Sequence, residues 1–366
     1  MAKKILILAN KCTGLLSFRR EVVEALIRQQ FEVVVHLPDD KRLNEIEELG
    51  CKVVRSINLE RKGKNPLRDF FLLHEYKSLI VREKPSVVLT YTIKPNIYGG
   101  MAAKNLGIPY VVNITGLGSA VENPGILQNI TIALYRSAMS KANTIFFQND
   151  ANREFFSVRN INPVAHKLIP GSGVNLSHHV LQPYPVANEP IRFLFISRLM
   201  KQKGIEDFFA CAEHFKNRAE FHILGDCEEN YTQKLQQLEA DHIIYYHGKQ
   251  SDVRPFIADA HCLIHPTFYP EGMSNVILES AAAGRPVITT NRPGCREAVE
   301  NGITGFLVQE RNREELFGAI EHFLTLTPEQ KRNMGLKARA KMECEFDRQI
   351  VVDAYLDAIN SILNGV

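Results

Sequence analysis

The chain has 366 residues, 45% hydrophobic and 23% charged, enough for two or three globular domains with cores of their own. A net charge of +3 is too small to argue for nucleic acid as a partner. Seven scattered cysteines without a C-x-x-C pair speak against a zinc site and for a reducing compartment.

The charge is uneven. Residues 1–100 carry 18 Lys/Arg against 12 Asp/Glu, an excess of 6, while the remainder sums to −3. A basic first part suits an anionic ligand or an anionic membrane surface, and a plain solvated face reads the same way. At the start, MAKKILILAN places two lysines before five apolar residues, short for a signal-peptide core and better read as a buried first strand. No apolar run approaches the roughly 18–20 residues of a membrane span, so the expected location is the cytoplasm.

Apolar runs then alternate with longer amphipathic stretches. KILILA (4–9), EVVVHL (32–37), KVVRSI (52–57), SVVLTY (86–91), YVVNIT (110–115) and TIFFQN (144–149) form one strand series. IRFLFIS (191–197), EFHILG (220–225), IIYYHG (243–248), CLIHPT (262–267), PVITT (286–290) and GFLVQ (305–309) form a second. Most are continuous rather than alternating, as in strands covered on both faces. Helical patterns such as 17–30 and 203–218 lie between them, which predicts parallel sheets with right-handed crossovers. LQPYPVANEP (181–190) has three prolines in ten residues and reads as a linker. The expected architecture is α/β: two Rossmann-like, doubly wound domains, 1–180 and 191–345, facing across a cleft, with a last amphipathic helix in 346–366.

Four segments carry chemistry. YPEGMSNVILESAAAGRP (269–286) puts Glu271 just before a helix and Glu279 inside it, and Gly284 and Pro286 end that helix. Eight residues rotate about 800°, so the two carboxylates do not share a face. Amides at the helix start suit phosphate, and the carboxylates suit hydroxyls, a pairing found in a nucleotide sugar. A lone E-x7-E is more often a capping or solvated pair, and only the surrounding segments change that balance. In ISRLMKQKGIEDF (196–208), Arg198 and Lys203 follow a strand, placed to neutralise a diphosphate or simply solvated. In LIPGSGVN (168–175), Gly171, Ser172 and Gly173 form either an amide cradle for an anion or a plain turn. ANKCTGLLSFRR (9–20) sets Thr13–Gly14 between the first strand and first helix. No segment completes G-x-G-x-x-G, which disfavours a dehydrogenase.

The set S-R-L-x-x-x-K-G, P-G-S-G-V-N and E-G-x-S-N-x-x-L-E-x-x-A-x-G-x-P resembles the retaining glycosyltransferases of family 4, which have the two-domain GT-B fold. The likeness runs over nearly the whole chain, strongest from about 165 to 310. Residues 91–120 resemble bacterial enzymes that extend undecaprenyl-diphosphate-linked saccharides in O-antigen, capsule or glycan assembly, including N-acetylgalactosaminyltransferases.

The resemblance implies a UDP-sugar donor, a polyprenyl-diphosphate-linked acceptor, retained configuration with an α linkage, and no cofactor. Arg198 and Lys203 would hold the donor diphosphate and stabilise the leaving nucleotide. Glu279 would hold the ribose and Glu271 the donor sugar. Met273, Ser274 and Asn275 would offer amides, Gly14 would admit the donor, and the C-terminal helix would return to the N-terminal domain. One departure is the loop TYTIKPN (90–96), where many members carry a histidine and this chain has Lys94. Asn113 and Thr115 are candidates for the missing polar contacts.

No Asp-x-Asp occurs, which favours a metal-independent site. ERKGKNPLRDFF (60–71) sets Arg61, Lys62, Lys64 and Arg68 beside Phe70 and Phe71, and with Arg19 nearby it suits the inner face of a plasma membrane or a solvated loop. A GT-B UDP-sugar 2-epimerase and a non-catalytic sugar-nucleotide-binding subunit stay open as alternatives.

Overall fold

A computed structural model describes residues 3–59, 66–117, 121, 125–186 and 190–365. It divides into two compact units, Met1–Gly173 with Pro270–Met273 and Arg348–Val366, and Val174–Tyr269 with Ser274–Asp347.

The first unit is built on a seven-stranded parallel sheet in the order β3-β2-β1-β4-β5-β6-β7. Its strands are β1 (Lys4–Leu8), β2 (Glu32–Pro38), β3 (Lys52–Ser56), β4 (Val87–Tyr91), β5 (Tyr110–Ile114), β6 (Thr144–Phe147) and β7 (His166–Leu168). Every residue of β4, β5 and β6 is buried, because helices cover both faces and leave no position for a polar alternation. One face carries α1 (Cys12–Phe18), α2 (Arg20–Arg28) and α3 (Leu43–Glu48). The other carries α4 (Pro66–Glu83), a π turn at Pro95–Gly99 running into α5 (Gly100–Asn105), α6 (Ile126–Met139) and α7 (Asp150–Ser157). The chain winds outward from β1 in both directions, so strand order reverses between β1 and β4.

The C-terminal helix, Arg348–Asn364, completes the first unit's core with Val351, Val352, Tyr355 and Ile359. Tyr355 packs 4.8 Å from the Phe146 ring, and Arg348 pairs with Glu21 at 2.8 Å.

The second unit has six parallel strands in the order β10-β9-β8-β11-β12-β13. These are β8 (Ile191–Ile196), β9 (Ala219–Leu224), β10 (Tyr245–Tyr246), β11 (Cys262–His265), β12 (Val287–Thr290) and β13 (Gly305–Val308). Around them lie α8 (Ile205–Phe215), α9 (Thr232–Ala240), α10 (Arg254–Asp259), α11 (Asn275–Ala282), α12 (Arg313–Thr325) and α13 (Pro328–Glu345). Phe193, Phe195, Phe208 and Phe221 interlock at its centre, with centroid separations of 5.2–5.6 Å along the chain of contacts. Here the order reverses between β8 and β11, and the segments leaving those two strands are the ones that carry Arg198 and Ser274.

Among the described residues no helix is long and apolar enough to cross a membrane.

Candidate active site

In the second unit, β8 ends at Ile196 and the chain turns through Arg198 into a 3-10 turn at Lys201–Lys203. Arg198 pairs with Glu228 at 2.8 Å, and its guanidinium carbon lies 5.4 Å from the Tyr269 ring centre. Lys203 is buried, with its ammonium 4.8 Å from the same ring. Two cations thus converge on one aromatic ring at the carboxyl end of the sheet, an arrangement that holds them in place before any anion arrives.

The backbone explains how Lys203 gets there. Gly204 has φ +78°, and a Cβ on it would stand 2.2 Å from the Pro266 carbonyl oxygen. Only glycine fits both the left-handed turn and that approach, so the 3-10 turn lies directly against the end of β11. Tyr269 is fixed in turn: its amide donates to Thr267 Oγ1 at 3.1 Å, and Arg292 donates to its carbonyl at 3.0 Å.

β11 ends in His265, which is 1% exposed. Burial, and then the nearby Lys203 charge, push the imidazole well below the ordinary histidine range, so it stays neutral. Its Nε2 shares a 3.0 Å hydrogen bond with Ser274 Oγ, while its Nδ1 is buried without a partner among the described residues. Ser274 is the N-cap of α11, and with its hydroxyl turned to His265 it makes no capping bond to its own helix. Against the sequence expectation, the Ser274 amide already donates to the Gly294 carbonyl at 2.8 Å, and the Ile277 amide closes on the Ser274 carbonyl at 3.2 Å, which leaves the amides of Asn275 and Val276 at the helix start with the helix dipole behind them. Asn275 Oδ1, at the first helical position, is another buried acceptor without a partner among the described residues. Glu279 lies one turn further in, half-buried.

Glu271 falls in the short segment grouped with the first unit. Asn149, at the end of β6, donates to the carbonyls of Glu271 at 3.3 Å and Gly272 at 2.6 Å. Gly272 lies so close to Thr115 that a Cβ would meet the Thr115 oxygen at 2.3 Å. Glu271 and Thr115 are thereby brought to the carboxyl ends of β5 and β6. Met273 is buried there against Gly171.

Several sequence expectations need correction. Arg19 is 3% exposed, with its guanidinium 5.4 Å from the Tyr91 ring centre, so it lends no charge to a membrane face. Gly14 lies inside α1 rather than in a loop before the first helix. Asn113 is buried; it donates to the Tyr355 hydroxyl at 2.5 Å, and its carbonyl accepts from Asn96 at 2.8 Å, a structural set of bonds. Lys94 is tied to Asp69 at 2.8 Å. Gly173 has a packing reason: at φ +63°, its Cβ would stand 2.5 Å from Arg348 Cα. Ser172 is buried beside it. Arg68 is exposed in the first turn of α4, while Arg61, Lys62 and Lys64 lie outside the described residues.

Sequence reasoning singled out none of Tyr269, Asn149 and His265 as site residues. Tyr269 stands two residues before Glu271 in the chain. A cavity of about 280 Å³ lined by Arg192, His222, His247, Phe256 and Asp259 opens beside the start of β8, the far end of that strand from Arg198.

Residues 190–325 match the family described as "Glycosyl transferases group 1", and residues 4–149 match "Glycosyl transferase 4-like". A Campylobacter jejuni protein named N,N'-diacetylbacillosaminyl-diphospho-undecaprenol alpha-1,3-N-acetylgalactosaminyltransferase is 26% identical, over 98% of this chain and 99% of its own length. Among solved structures, a glycosyltransferase from Rickettsia africae superposes with a TM-score of 0.83 at 20% identity, covering both chains completely. Anabaena Alr3699/HepE, solved with UDP and glucose, gives 0.81 at 18% identity over 98% of this chain and 100% of its own. The chain belongs to the glycosyltransferases of the group 1 and 4-like family and has their GT-B fold, two Rossmann-like parallel-sheet domains.

Proposed function

We propose that the protein transfers a hexose or N-acetylhexosamine from a UDP-sugar to a polyprenyl-diphosphate-linked saccharide in bacterial surface polysaccharide or glycan assembly. The observation that carries this reading is the convergence of Arg198 and Lys203 on Tyr269, linked through His265 to the uncapped start of α11. Two fixed cations and a helix terminus suit the diphosphate of a nucleotide sugar, and the UDP complex of the Anabaena neighbour supports the choice of nucleotide. The name of the Campylobacter relative supports a lipid-linked acceptor.

In this proposal the bond between the anomeric carbon and the β-phosphate oxygen breaks, and UDP leaves with the electron pair. The acceptor hydroxyl bonds to that carbon on the same face, and its proton passes to the departing phosphate. Configuration is retained, giving an α linkage. Arg198, Lys203 and the α11 amides stabilise the charge growing on the leaving group, so no metal ion and no cofactor are required. Glu279 accepts from the ribose hydroxyls and Glu271 from the donor sugar. Ser274 and Asn275 contribute through their place at the helix start. A lipid-linked acceptor places the enzyme as a peripheral protein on the anionic inner face of the plasma membrane.

The test is a panel of UDP-sugars incubated with synthetic polyprenyl-diphosphate saccharides, with the product linkage read by NMR. The reading predicts one preferred donor and an α-linked product. Conversion of UDP-sugar to its 2-epimer without an acceptor, or tight UDP-sugar binding without turnover, would replace it with an epimerase or a non-catalytic subunit.

A further inference from the structure

Four residues belong to the first unit although their neighbours in the chain do not. Pro270–Met273 is grouped with it, while Tyr269 before and Ser274 after belong to the second unit. Glu271, to which the donor sugar is assigned above, therefore takes its backbone position from the first unit's sheet.

The ends of three neighbouring strands meet this segment. Beyond β5, Gly116 has φ +137°, and a Cβ on it would stand 3.3 Å from both the Gly272 nitrogen and the Pro270 carbonyl oxygen. Beyond β6, Gln148 is as close: a Cβ on Gly272 would meet its Oε1 at 2.5 Å. Beyond β7, a Cβ on Gly171 would stand 2.5 Å from the Met273 Cβ. These glycines admit the segment, and hydrogen bonds from Asn149 hold it.

Asn149 is 1% exposed and joins β6 to α7 in extended backbone, φ −152° and ψ 160°. Its side chain works in two directions. Oδ1 accepts from the Asn152 amide at 2.9 Å, the N-cap bond of α7. Nδ2 donates to the carbonyls of Glu271 at 3.3 Å and Gly272 at 2.6 Å. The orientation is forced, because a backbone amide only donates and two carbonyls only accept, so the nitrogen faces the segment. Each carbonyl has one hydrogen of the amide group available to it. No other side chain of that length has an acceptor on one branch and two donors on the other. Aspartate and serine cap a helix as well as asparagine does, so capping alone does not call for the amide.

We propose that Asn149 is a positioning residue for the transfer reaction: by holding the Glu271 and Gly272 carbonyls it fixes how the Glu271 carboxylate meets the donor sugar. The proposal rests on the role given to Glu271 above and adds the residue that acts through it. A misplacement of about 1 Å costs on the order of 10²-fold in rate, so a lost grip shows in kcat rather than in nucleotide affinity.

The test compares Asn149→Ser and Asn149→Asp in the full chain. Both keep an acceptor for the α7 cap and remove the amide's paired donors. Transfer kinetics, calorimetry with UDP and hydrogen exchange of the peptide covering 268–274 are the readouts. Each variant should lose at least about tenfold in kcat while UDP affinity stays within about twofold. Exchange in 268–274 should rise, and exchange in α7 should not. The decisive arm is the double variant Asn149→Ser with Glu271→Ala, which should be no more than about twofold slower than Glu271→Ala alone. A residue acting through Glu271 has nothing left to act on there, whereas a merely structural role multiplies the two losses. Near-normal kcat in both single variants, unchanged exchange in 268–274, or multiplied losses would each overturn the proposal. Should the buried carboxylate of Asn149→Asp lower Tm, Asn149→Ser decides. If no UDP-sugar is transferred at all, the proposed activity falls, while the exchange result still decides whether Asn149 holds the segment.

Discussion

Replacing Lys203 by methionine keeps the length and apolar stem of the side chain and removes only its charge. Lys203 is 8% exposed and its ammonium stands 4.8 Å from the Tyr269 ring centre, so the charge acts in a partly dry setting. A unit charge about 4 Å from a developing phosphate charge, at an effective dielectric near 20, is worth roughly 4 kcal/mol. Part of that attraction already exists in the bound donor, so about 3 kcal/mol, or roughly 10²-fold, falls on kcat, and KM for the donor rises as well. The assay is transfer kinetics over a range of donor concentrations, with Tm measured alongside. Lys201→Met is the control, since that neighbour's side chain is 65% exposed and pairs with Glu206 at 3.4 Å. A Lys203→Met enzyme within about threefold of normal kcat/KM, with unchanged Tm, refutes the diphosphate assignment.

Glu271→Ala should lower kcat by roughly 10²-fold with UDP affinity little changed, measured by transfer kinetics and calorimetry with UDP. Equal losses of UDP binding and rate would move Glu271 from the sugar to the nucleotide. Gly204→Ala forces a Cβ against the Pro266 oxygen at a positive φ, so Tm should fall by several degrees, on the order of 1–3 kcal/mol of strain, and transfer should fall with it. Transfer after dialysis against EDTA should match the untreated rate, and a strict Mg²⁺ requirement contradicts the proposed charge stabilisation. The last prediction concerns acid. His261 is held down to about 4 by burial and by Arg192, and His265 lies well below its ordinary range. As pH drops below about 6.5 the unfolded chain takes up protons that the folded chain refuses, so stability is lost from there towards pH 4. His261 alone accounts for roughly 3 kcal/mol of that loss. Glu75 and Glu83, both held at about 2 in the fold, withdraw their contribution only below about 4.5. Tm should therefore decline between pH 7 and 4.5, and a flat profile there is inconsistent with the buried neutral histidines.

The strand series could be read from sequence because buried parallel strands are continuous apolar runs, and Arg198 and Lys203 because each stands at a short fixed distance from a strand end. What escaped depended on contacts made far along the chain. Stretch 17–30 reads as one helix, yet the fold breaks it at Arg19, which ends α1 and begins α2 with its guanidinium buried beside Tyr91. A cation among helical residues looks solvated until the partner strand is in place. The glycines at 171 and 173 invite a phosphate reading, yet Gly173 is required by Arg348, 175 residues away. Tyr269 was hidden for a different reason: a loop aromatic has no periodicity to separate a ligand platform from a core residue. His265 looked like any strand histidine, and only its 3.0 Å bond to Ser274 shows why α11 begins without a cap.

The most direct test of the central claim is a crystal structure of the protein with UDP bound. The account predicts both phosphates between Arg198, Lys203 and the first-turn amides of α11, beside the Tyr269 ring, with the ribose hydroxyls on Glu279. A uridine nucleotide seated away from Arg198 and Lys203, or in the cavity beside His222 and His247, contradicts it.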